Sequence, residues 1–418
     1  MTGTSGGLTN WAGNHSYRAG ELHHPRTLDE LRRIVATARS LRVLGTRHTF
    51  SDIGDASSLV ALDGLRGCDE IAIDHDAATV TVGPTVTYAQ LTPRLDAAGL
   101  ALANMASLPH ISVAGAVATA THGSGDALGN LSTSVRAMEL VTSDGELVQI
   151  AAGDPELPGA VVHLGALGVV TKLTLAVIPT YRLCQRVYVG MGWDALEENF
   201  DRIMGAGRSV SVFHRLGERI REVWVKAAPE QPAPTELFGA VLADSPRHPV
   251  PAADPLNCTP QLGVPGPWWQ RLPHFQAGFT PSAGAEIQSE WFVARDQATD
   301  ALAALRQLAD RLRPLILVCE LRTVAADELW LSPNHGRDSA GLHFTWRREP
   351  AAVAAACAEV ERTLAPFAPR PHWGKLFTAR STELAPHYPR LAEFKVLREQ
   401  FDGRRAFVNR WLERTLAL

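Results

Sequence analysis

Between Ser112 and Thr121 the chain carries no side chain larger than valine, and glycines follow at positions 123 and 125. Small residues of this kind allow another group to approach the backbone closely. Taken alone, the run is equally consistent with two structures. It predicts either a tightly packed buried helix or a backbone surface on which a large flat ligand lies, held by peptide amides and hydroxyl groups.

A second loop of small side chains follows a short predicted strand at residues 42–44. It reads Gly45-Thr46-Arg47-His48-Thr49-Phe50. Glycine and hydroxyl residues let backbone amides converge on a phosphate, and a histidine in such a loop can face whatever the loop holds. By itself the pattern is more often an ordinary turn. It lacks both the GxGxxG of a dinucleotide-binding fold and the Gly-Lys-Ser or Gly-Lys-Thr of a Walker loop.

The order of the predicted elements indicates an α+β protein with two domains. Up to about residue 180, short helices are interspersed with β-hairpins. Beyond it, longer strands alternate with helices, one of them predicted over residues 296–312. Residues 228–285 are rich in proline and have little periodicity, which predicts long ordered loops. We expect a first domain over residues 1–180, a second over 181–404, and a tail near 405–418 that returns to the first.

Composition argues against several classes of function. The chain has 40 basic and 44 acidic residues and no basic cluster, whereas nucleic-acid-binding proteins usually carry a basic stripe. No apolar run approaches the roughly 20 residues of a membrane helix, and the N-terminus does not resemble a signal peptide. Five scattered cysteines indicate reduced thiols. We expect a cytoplasmic monomer that binds neither nucleic acid nor membrane. The adjacent His23 and His24 lack metal-ligand spacing, so no metal is expected.

Lysine is scarce in this chain. Only four of the 40 basic residues are lysines, and they are Lys172, Lys226, Lys375 and Lys395. Codon bias explains the scarcity, since alanine is abundant. A lysine in such a chain nevertheless marks a position where a compact ammonium group can be needed in place of a guanidinium.

Polar residues in the second half share strand faces. Glu320 and Arg322 are two positions apart, as are His343 and Thr345, so each pair lies on one face of its strand. A surface ion pair is the commoner reason for the spacing of Glu320 and Arg322. Continuous apolar residues precede Glu320, however, and this favours a buried strand. Lys375 follows in an irregular segment that can aim a side chain inward. Together these groups would form one polar patch.

As a combination, these segments resemble the alditol (sugar-alcohol) oxidases of the vanillyl-alcohol-oxidase flavoprotein superfamily. The resemblance spans nearly the whole chain and rests on residues 10–14, 104–115, 164–171, 319–327 and 371–375. It implies a two-domain α+β fold in which an N-terminal domain binds FAD and a C-terminal α+β cap domain covers the flavin.

The resemblance also implies roles for individual residues. His48 matches the histidine that bonds covalently to the flavin, and Arg47 stands where many relatives have a glycine. FAD would be wrapped by Val43, Leu44, Gly45, Thr46, Arg47, Thr49, Phe50, Ser112, Gly115, Ala116, Val117, Ala118, His122, Gly168, Val169 and Val170. The catalytic residues would be Glu320, Arg322 and Lys375, with Ser107, Gln288, His343 and Thr345 binding the polyol. Ala106 matches a position at the flavin edge where a methyl group leaves room for dioxygen.

The implied reaction oxidises the terminal hydroxyl group of a polyol such as xylitol or sorbitol and reduces dioxygen to hydrogen peroxide. Arg322 and Lys375 suit the stabilisation of negative charge on the substrate oxygen, but a neutral Lys375 could instead act as the base. Two alternatives are an aldonolactone oxidase or dehydrogenase of the same superfamily and a non-catalytic carbohydrate-binding relative. The presence of Glu320, Arg322 and Lys375 argues against the second.

Overall fold

The computed structural model of the protein describes residues 2–3, 7–278 and 285–418. Its first helices begin at capping side chains. Thr27 accepts a hydrogen bond from the Glu30 amide, and Thr87 forms a capping box with Gln90. The α-helices of the described residues are Leu28–Thr37, Tyr88–Ala97, Val113–Ala118, Leu157–Ala160, Trp193–Met204, Ala298–Arg306, Ala309–Leu312, Pro350–Leu364, Ser381–Leu384, Leu391–Phe401 and Arg410–Leu416. No helix in these ranges is both long and apolar enough to cross a membrane.

The N-terminal part forms three sheets within the described residues. In spatial order, the strands of a four-stranded sheet are Thr2–Gly3, Glu21–His23, Ser58–Val60 and Leu41–Val43. Those of an antiparallel five-stranded sheet are Ile71–Asp74, Thr79–Val82, Val169–Ala176, Val135–Val141 and Leu147–Ala151. A small third sheet pairs Leu100–Ala101 with Ile178–Pro179. This part is therefore the mixture of short helices and hairpins that the sequence predicts.

The second part is built on one antiparallel sheet of ten strands. Their spatial order is Glu236–Leu237, Ala240–Leu242, Arg182–Val189, Glu222–Ala227, Ser209–His214, Ile316–Val324, Ser339–Arg347, Glu286–Ala294 and Arg370–Pro371, with Gly266–Pro267 paired to Arg182–Val189. Its first long strand begins just after residue 180, near the predicted domain boundary.

The two faces of this sheet differ in polarity. Helices Trp193–Met204, Ala298–Arg306 and Pro350–Leu364 cover one face and form an apolar core with it. The other face carries polar side chains. Glu320 lies opposite His343 on the next strand, and His343 lies opposite Glu290 on the strand beyond. One row of charged and polar groups therefore crosses three strands.

The chain returns to the N-terminal part earlier than the sequence suggests. Trp373, Tyr388, Phe394 and Trp411 all belong to the apolar core of the N-terminal part. The return thus begins just after the last strand of the ten-stranded sheet rather than near residue 405, because the buried side of Leu391–Phe401 packs into that core.

Two further predictions concern the second part. The helix expected over residues 296–312 is interrupted: Ala298–Arg306 ends in i→i+3 hydrogen bonds at Gln307 and Leu308, and Ala309–Leu312 follows as a separate turn. The long ordered loops expected over residues 228–285 are confirmed for the described part of that range, where only short strands and single 3₁₀ turns occur.

Candidate active site

A large cavity lies between the N-terminal part and the polar face of the ten-stranded sheet. The volume of this cavity that is open to the centre of a water molecule is about 370 Å³. The predicted site residues that line it are Val43, Gly45, Thr46, Arg47, His48, Thr49, Phe50, Ala106, Ser107, Ser112, Gly115, Ala116, Ala118, His122, Gly168, Val170, Gln288, Glu320, Arg322, His343, Thr345 and Lys375. Leu44, Val117 and Val169 do not line it. Val117 and Val169 instead pack in apolar cores.

The loop that carries His48 is held by contacts at both ends. The Trp11 amide donates to the Arg47 carbonyl, and the Trp11 ring stacks on His48 with 5.4 Å between centroids. The Phe50 amide donates to the carbonyl of Gly374, one residue before Lys375. The backbone of Arg47 adopts a left-handed φ of 61°, and its guanidinium donates to the Thr9 carbonyl. The loop is therefore tied directly to the segment that presents Lys375.

His48 has no hydrogen-bond partner among the described residues. Both of its ring nitrogens are buried and lack a hydrogen bond. Burial, followed by the nearby His110, lowers the pKa of His48 to about 4, although the Thr46 backbone acts in the opposite direction. At neutral pH the imidazole is therefore uncharged, and a nitrogen lone pair is available to a group in the cavity.

The run of small residues combines the two structures that the sequence leaves open. It forms the short helix Val113–Ala118, whose Val113 and Val117 are buried in the core. Ser112 caps this helix by accepting from the Gly115 amide, and both residues line the cavity. A Cβ atom at position 115 would lie 2.9 Å from Ser112 Oγ. The cavity side of the run is therefore a surface of backbone and small side chains.

Arg322 connects the ten-stranded sheet to the N-terminal part. Its Nη1 donates to Ser107 Oγ at 3.2 Å, and its Nε forms an ion pair with Glu320 Oε1 at 3.3 Å. Nη2 lies 3.8 Å from Oε1 of Glu290. All three charged side chains are buried. The guanidinium is thus fixed between two carboxylates at the wall of the cavity.

Lys375 lies over the strand Glu286–Ala294. Its Nζ is 2.6 Å from Glu290 Oε2 and 2.8 Å from His343 Nδ1, and Nε2 of His343 lies 3.0 Å from the Thr345 hydroxyl. An ammonium group has three N–H donors. Within the described ranges two of them have these partners, so one N–H remains for an oxygen atom in the cavity.

Buried groups of opposite charge balance one another in the site. Burial opposes ionisation of Glu290, but Lys375 and His122 outweigh it and hold the pKa of that carboxyl well below its usual range. Arg322 and His274 likewise lower the pKa of Glu320. Burial lowers the pKa of Lys375, and Glu290 acts against that shift. At neutral pH two carboxylates therefore face two basic side chains.

The imidazole of His343 shares this environment and stays neutral. Burial, with the nearby Lys375 next in size, lowers the pKa of His343 to about 3. A neutral ring accepts a hydrogen bond from Lys375 at Nδ1 and donates from Nε2 to Thr345, which fits both observed distances. His343 is therefore uncharged, and the hydrogen bond that it accepts fixes the direction of the Lys375 ammonium group.

Three potential metal ligands also converge beside the cavity. Ligand atoms of His122, Glu290 and His372 lie within 4.8 Å of one another. The ammonium of Lys375 already lies 2.6 Å from the same carboxylate. The carboxylate in this group of three therefore already has a positively charged partner.

Two residues that contact this site, Glu290 and His274, were not predicted as site residues. Glu290 lies two positions after Gln288 on the same strand and therefore on the same face, so strand alternation alone could have identified it. His274 contacts both Glu320 and Lys226, and it lines the cavity. His274 belongs to a loop without periodicity, and no sequence signal places it against Glu320.

Comparison with protein families identifies two regions of the chain. A family model described as FAD binding domain matches residues 22–151, and one described as D-arabinono-1,4-lactone oxidase matches residues 284–415.

Among curated proteins, the chain is 47% identical to an alditol oxidase from a Streptomyces species, over 97% of this chain and 98% of that protein. It is 26% identical to an L-gulono-1,4-lactone dehydrogenase from Mycobacterium tuberculosis, over 98% of both chains. Among solved structures, a cholesterol oxidase from B. sterolicum superposes over 100% of this chain and 97% of its own with a TM-score of 0.81 and 15% identity. The last likeness shows a shared fold.

Gly341 makes room for the carboxylate of Glu290. A Cβ atom at position 341 would lie 2.9 Å from Glu290 Oε1 and 3.2 Å from the Phe292 ring. We predict that Gly341→Ala lowers the free energy of unfolding by about 1–3 kcal/mol because these buried groups must shift. Thermal and denaturant unfolding measure the change. Gly217→Ala, where no atom lies within 4 Å, is the matched control, and equal stability of the two variants would contradict the prediction.

Proposed function

This chain belongs to the family of FAD-dependent alditol oxidases, and on that premise we propose that it oxidises the terminal hydroxyl group of a polyol such as xylitol or sorbitol. The products would be the corresponding aldose and hydrogen peroxide. One observation carries the proposal: His48, whose buried ring nitrogens make no hydrogen bond with the described residues, lines the same cavity as Arg322 and Lys375. A flavin and a small polar substrate can therefore meet in it.

The residues present fit FAD. The cavity offers the backbone of the loop at Gly45 and of the cap at Ser112, where a Cβ at position 115 would crowd the serine hydroxyl. Backbone amides and hydroxyl groups of this kind hold phosphates and flat rings without side-chain charges. The residues that would hold the cofactor are the cavity-lining members of the predicted FAD set, including His122 and Val170.

We infer a covalent bond between His48 and the flavin. A neutral imidazole is a nucleophile, and the pKa of His48 of about 4 keeps it neutral at physiological pH. Its buried nitrogens have no side-chain hydrogen-bond partner among the described residues, so no such bond must break before the ring bonds to a cofactor. Stacking on Trp11 holds its plane.

The substrate hydroxyl groups would be held by the polar face of the sheet. Ser107, Gln288, His343 and Thr345 line the same cavity as Glu320, Arg322 and Lys375. A site that hydrogen-bonds several hydroxyl groups rejects analogues that lack them, because its own buried polar groups are then left unpaired. This arrangement favours a polyhydroxylated substrate.

Bound FAD would supply the acceptor for the hydride that leaves the substrate carbon and would pass the two electrons on to dioxygen. As the hydride leaves, negative charge grows on the hydroxyl oxygen. The third N–H of Lys375 and the guanidinium of Arg322 would hold this oxygen, and fixed charges in a buried site act strongly on developing charge. Glu290 keeps Lys375 in place and favours its charged form. Lys375 would therefore act as a charge stabiliser.

Ala106 would give dioxygen access to the cofactor. It is buried, lines the cavity and precedes Ser107, which contacts Arg322. A methyl side chain at this position would leave space for a diatomic molecule beside the proposed substrate site.

Peroxide release tests the substrate class. We expect the purified protein to produce hydrogen peroxide with xylitol or sorbitol and none with galactonolactone, measured with a peroxidase-coupled dye. Because one matching family model is that of a D-arabinono-1,4-lactone oxidase, turnover of the lactone without turnover of either polyol would assign the chain to that activity instead.

Acid precipitation tests the attachment of the flavin. The wild-type precipitate should stay yellow, whereas His48→Ala should release its flavin into the supernatant. His163→Ala is a matched control, since His163 also lines the cavity but accepts a hydrogen bond from the Gly165 amide. A yellow precipitate from His48→Ala would show that another residue carries the flavin.

Lys375→Met tests charge stabilisation. We expect turnover to fall by about 10²–10³-fold, the range found when one charge-stabilising donor is removed, with the FAD content unchanged. Turnover and flavin absorbance are measured on the same sample. Lys395→Met, on the helix Leu391–Phe401, serves as the control lysine, and an undiminished rate in Lys375→Met would make Lys375 a structural residue.

A further inference from the structure

A buried lysine lies behind the wall of the cavity, and the reaction described above does not use it. Lys226 is on the strand Glu222–Ala227 and is 1% exposed. It is one of four lysines in the chain. Burial of an ammonium group is unfavourable unless it has close partners, so its partners define what it does.

The partners of Lys226 lead back to the cavity. Its Nζ lies 2.5 Å from the Leu272 carbonyl oxygen, 3.3 Å from that of Pro273 and 3.1 Å from His274 Nδ1. The other ring nitrogen of His274, Nε2, lies 2.7 Å from Glu320 Oε1. His274 and Glu320 line the cavity, whereas Lys226 lies behind them. A continuous hydrogen-bonded path therefore runs from the substrate site to a buried amine.

We propose that Glu320, His274 and Lys226 form a proton relay that takes up the hydroxyl proton of the substrate and stores it on Lys226. The proposal rests on the proposed oxidation of an alcohol, because that reaction removes a hydride from carbon and a proton from oxygen. The hydride goes to the cofactor and the proton to Glu320. From Glu320 it passes to His274 Nε2, while the proton on Nδ1 passes to the amine.

Once the substrate has delivered its proton, the hydrogen-bond geometry is satisfied in both positions that this proton can take. With the proton on Lys226, three N–H groups point to two carbonyls and to Nδ1, and His274 donates from Nε2 to ionised Glu320. With the proton on Glu320, its O–H donates to Nε2, Nδ1–H donates to the amine lone pair, and two N–H groups remain for the carbonyls. The two states hold the same number of protons, so two short shifts interconvert them.

The charges around Lys226 make it able to titrate near neutral pH. Burial and the nearby Arg322 lower the pKa of Lys226, while the Glu320 carboxylate raises it, and the result is about 7. His274 faces it directly, and burial lowers the pKa of that imidazole to about 4. The Cys258 thiol has a pKa raised to about 12, which keeps it uncharged. A neutral amine is therefore available to receive a proton at physiological pH.

The stored proton closes the balance of the complete reaction. Dioxygen becomes hydrogen peroxide by gaining two electrons and two protons. The hydride supplies two electrons and one proton, and Lys226 would return the second proton through the same path. No exchange of protons with solvent is then required during turnover.

Selective lysine labelling tests the relay directly. Four lysines allow four resolvable signals from FAD-loaded protein labelled with ¹³C at Cε, and Lys226→Arg assigns the signal of interest. We expect the Lys226 signal to titrate between pH 6 and 8 and its midpoint to fall in Glu320→Gln, since the carboxylate raises that pKa. A Lys226 signal that does not titrate between pH 5.5 and 9, or whose midpoint is unchanged in Glu320→Gln, would overturn the relay. This result does not depend on turnover, so it separates the relay from the proposed function.

The pH profile of anaerobic flavin reduction by xylitol provides the functional readout. In wild type the rate should rise with pH through the Lys226 midpoint, because only the neutral amine accepts a proton. Lys226→Met and Lys226→Arg should reduce flavin at least tenfold more slowly at pH 8 and show no rise between pH 6 and 8. Lys395→Met should keep the wild-type profile. If both Lys226 variants retain the rise in rate with pH, the lysine only holds the Leu272 and Pro273 carbonyls. If no polyol reduces the flavin of the wild-type protein, the proposed function is refuted.

Discussion

The buried ion pair between Glu290 and Lys375 is the interaction on which the candidate site depends. Arg322 and Lys375 carry like charge within one small buried region, where burial and the nearby Arg322 both lower the pKa of Lys375. Glu290 contacts both, at 2.6 Å from Lys375 and 3.8 Å from Arg322. Removing one partner of a buried pair leaves an uncompensated charge, at a cost of about 3–5 kcal/mol. The carboxylate is therefore what allows two cations to face the same cavity.

This pair exists because of the strand register and one glycine. Glu290 lies opposite His343, and the next residue on the same face of that strand, Gly341, has no side chain. The space above it is filled by the carboxylate of Glu290. The hydrogen bond from the Phe50 amide to the Gly374 carbonyl then joins the loop of His48 to the segment of Lys375. One contact between the two parts of the chain thus links the proposed attachment residue His48 to the proposed charge stabiliser Lys375.

Local patterns in the sequence predict much of the fold. The Thr27 cap, the hairpin of Val135–Val141 with Leu147–Ala151 and the long strands of the second part all follow from short-range signals. The return of the chain at Trp373 could not be predicted in this way. The helices that follow Trp373 have apolar faces, and the sequence alone does not show which of the two cores they join. Only the three-dimensional packing decides this.

The same distinction applies to the candidate site. Alternation along the strand Glu286–Ala294 places Glu290 on the face of Gln288, so the sequence contains the information. His274 is different, because its amide hydrogen-bonds to the Ser107 carbonyl and its ring reaches Glu320 from a loop without regular structure. Contacts between residues so far apart in sequence arise from tertiary structure alone. Sequence patterns therefore reveal groups on regular elements and miss those that loops bring to them.

Burial lowers the pKa of His48, Lys226 and Lys375 alike. The groups that each side chain contacts then determine its protonation state. His48 has no hydrogen-bond partner within the described residues, so desolvation leaves it a neutral nucleophile. Lys226 faces two carbonyls and a neutral imidazole, and Glu320 only partly restores its basicity. Lys375 instead contacts a carboxylate directly. The cavity and its wall can thus hold the proposed nucleophile, proton store and fixed charge, because a carboxylate directly contacts Lys375 but not Lys226.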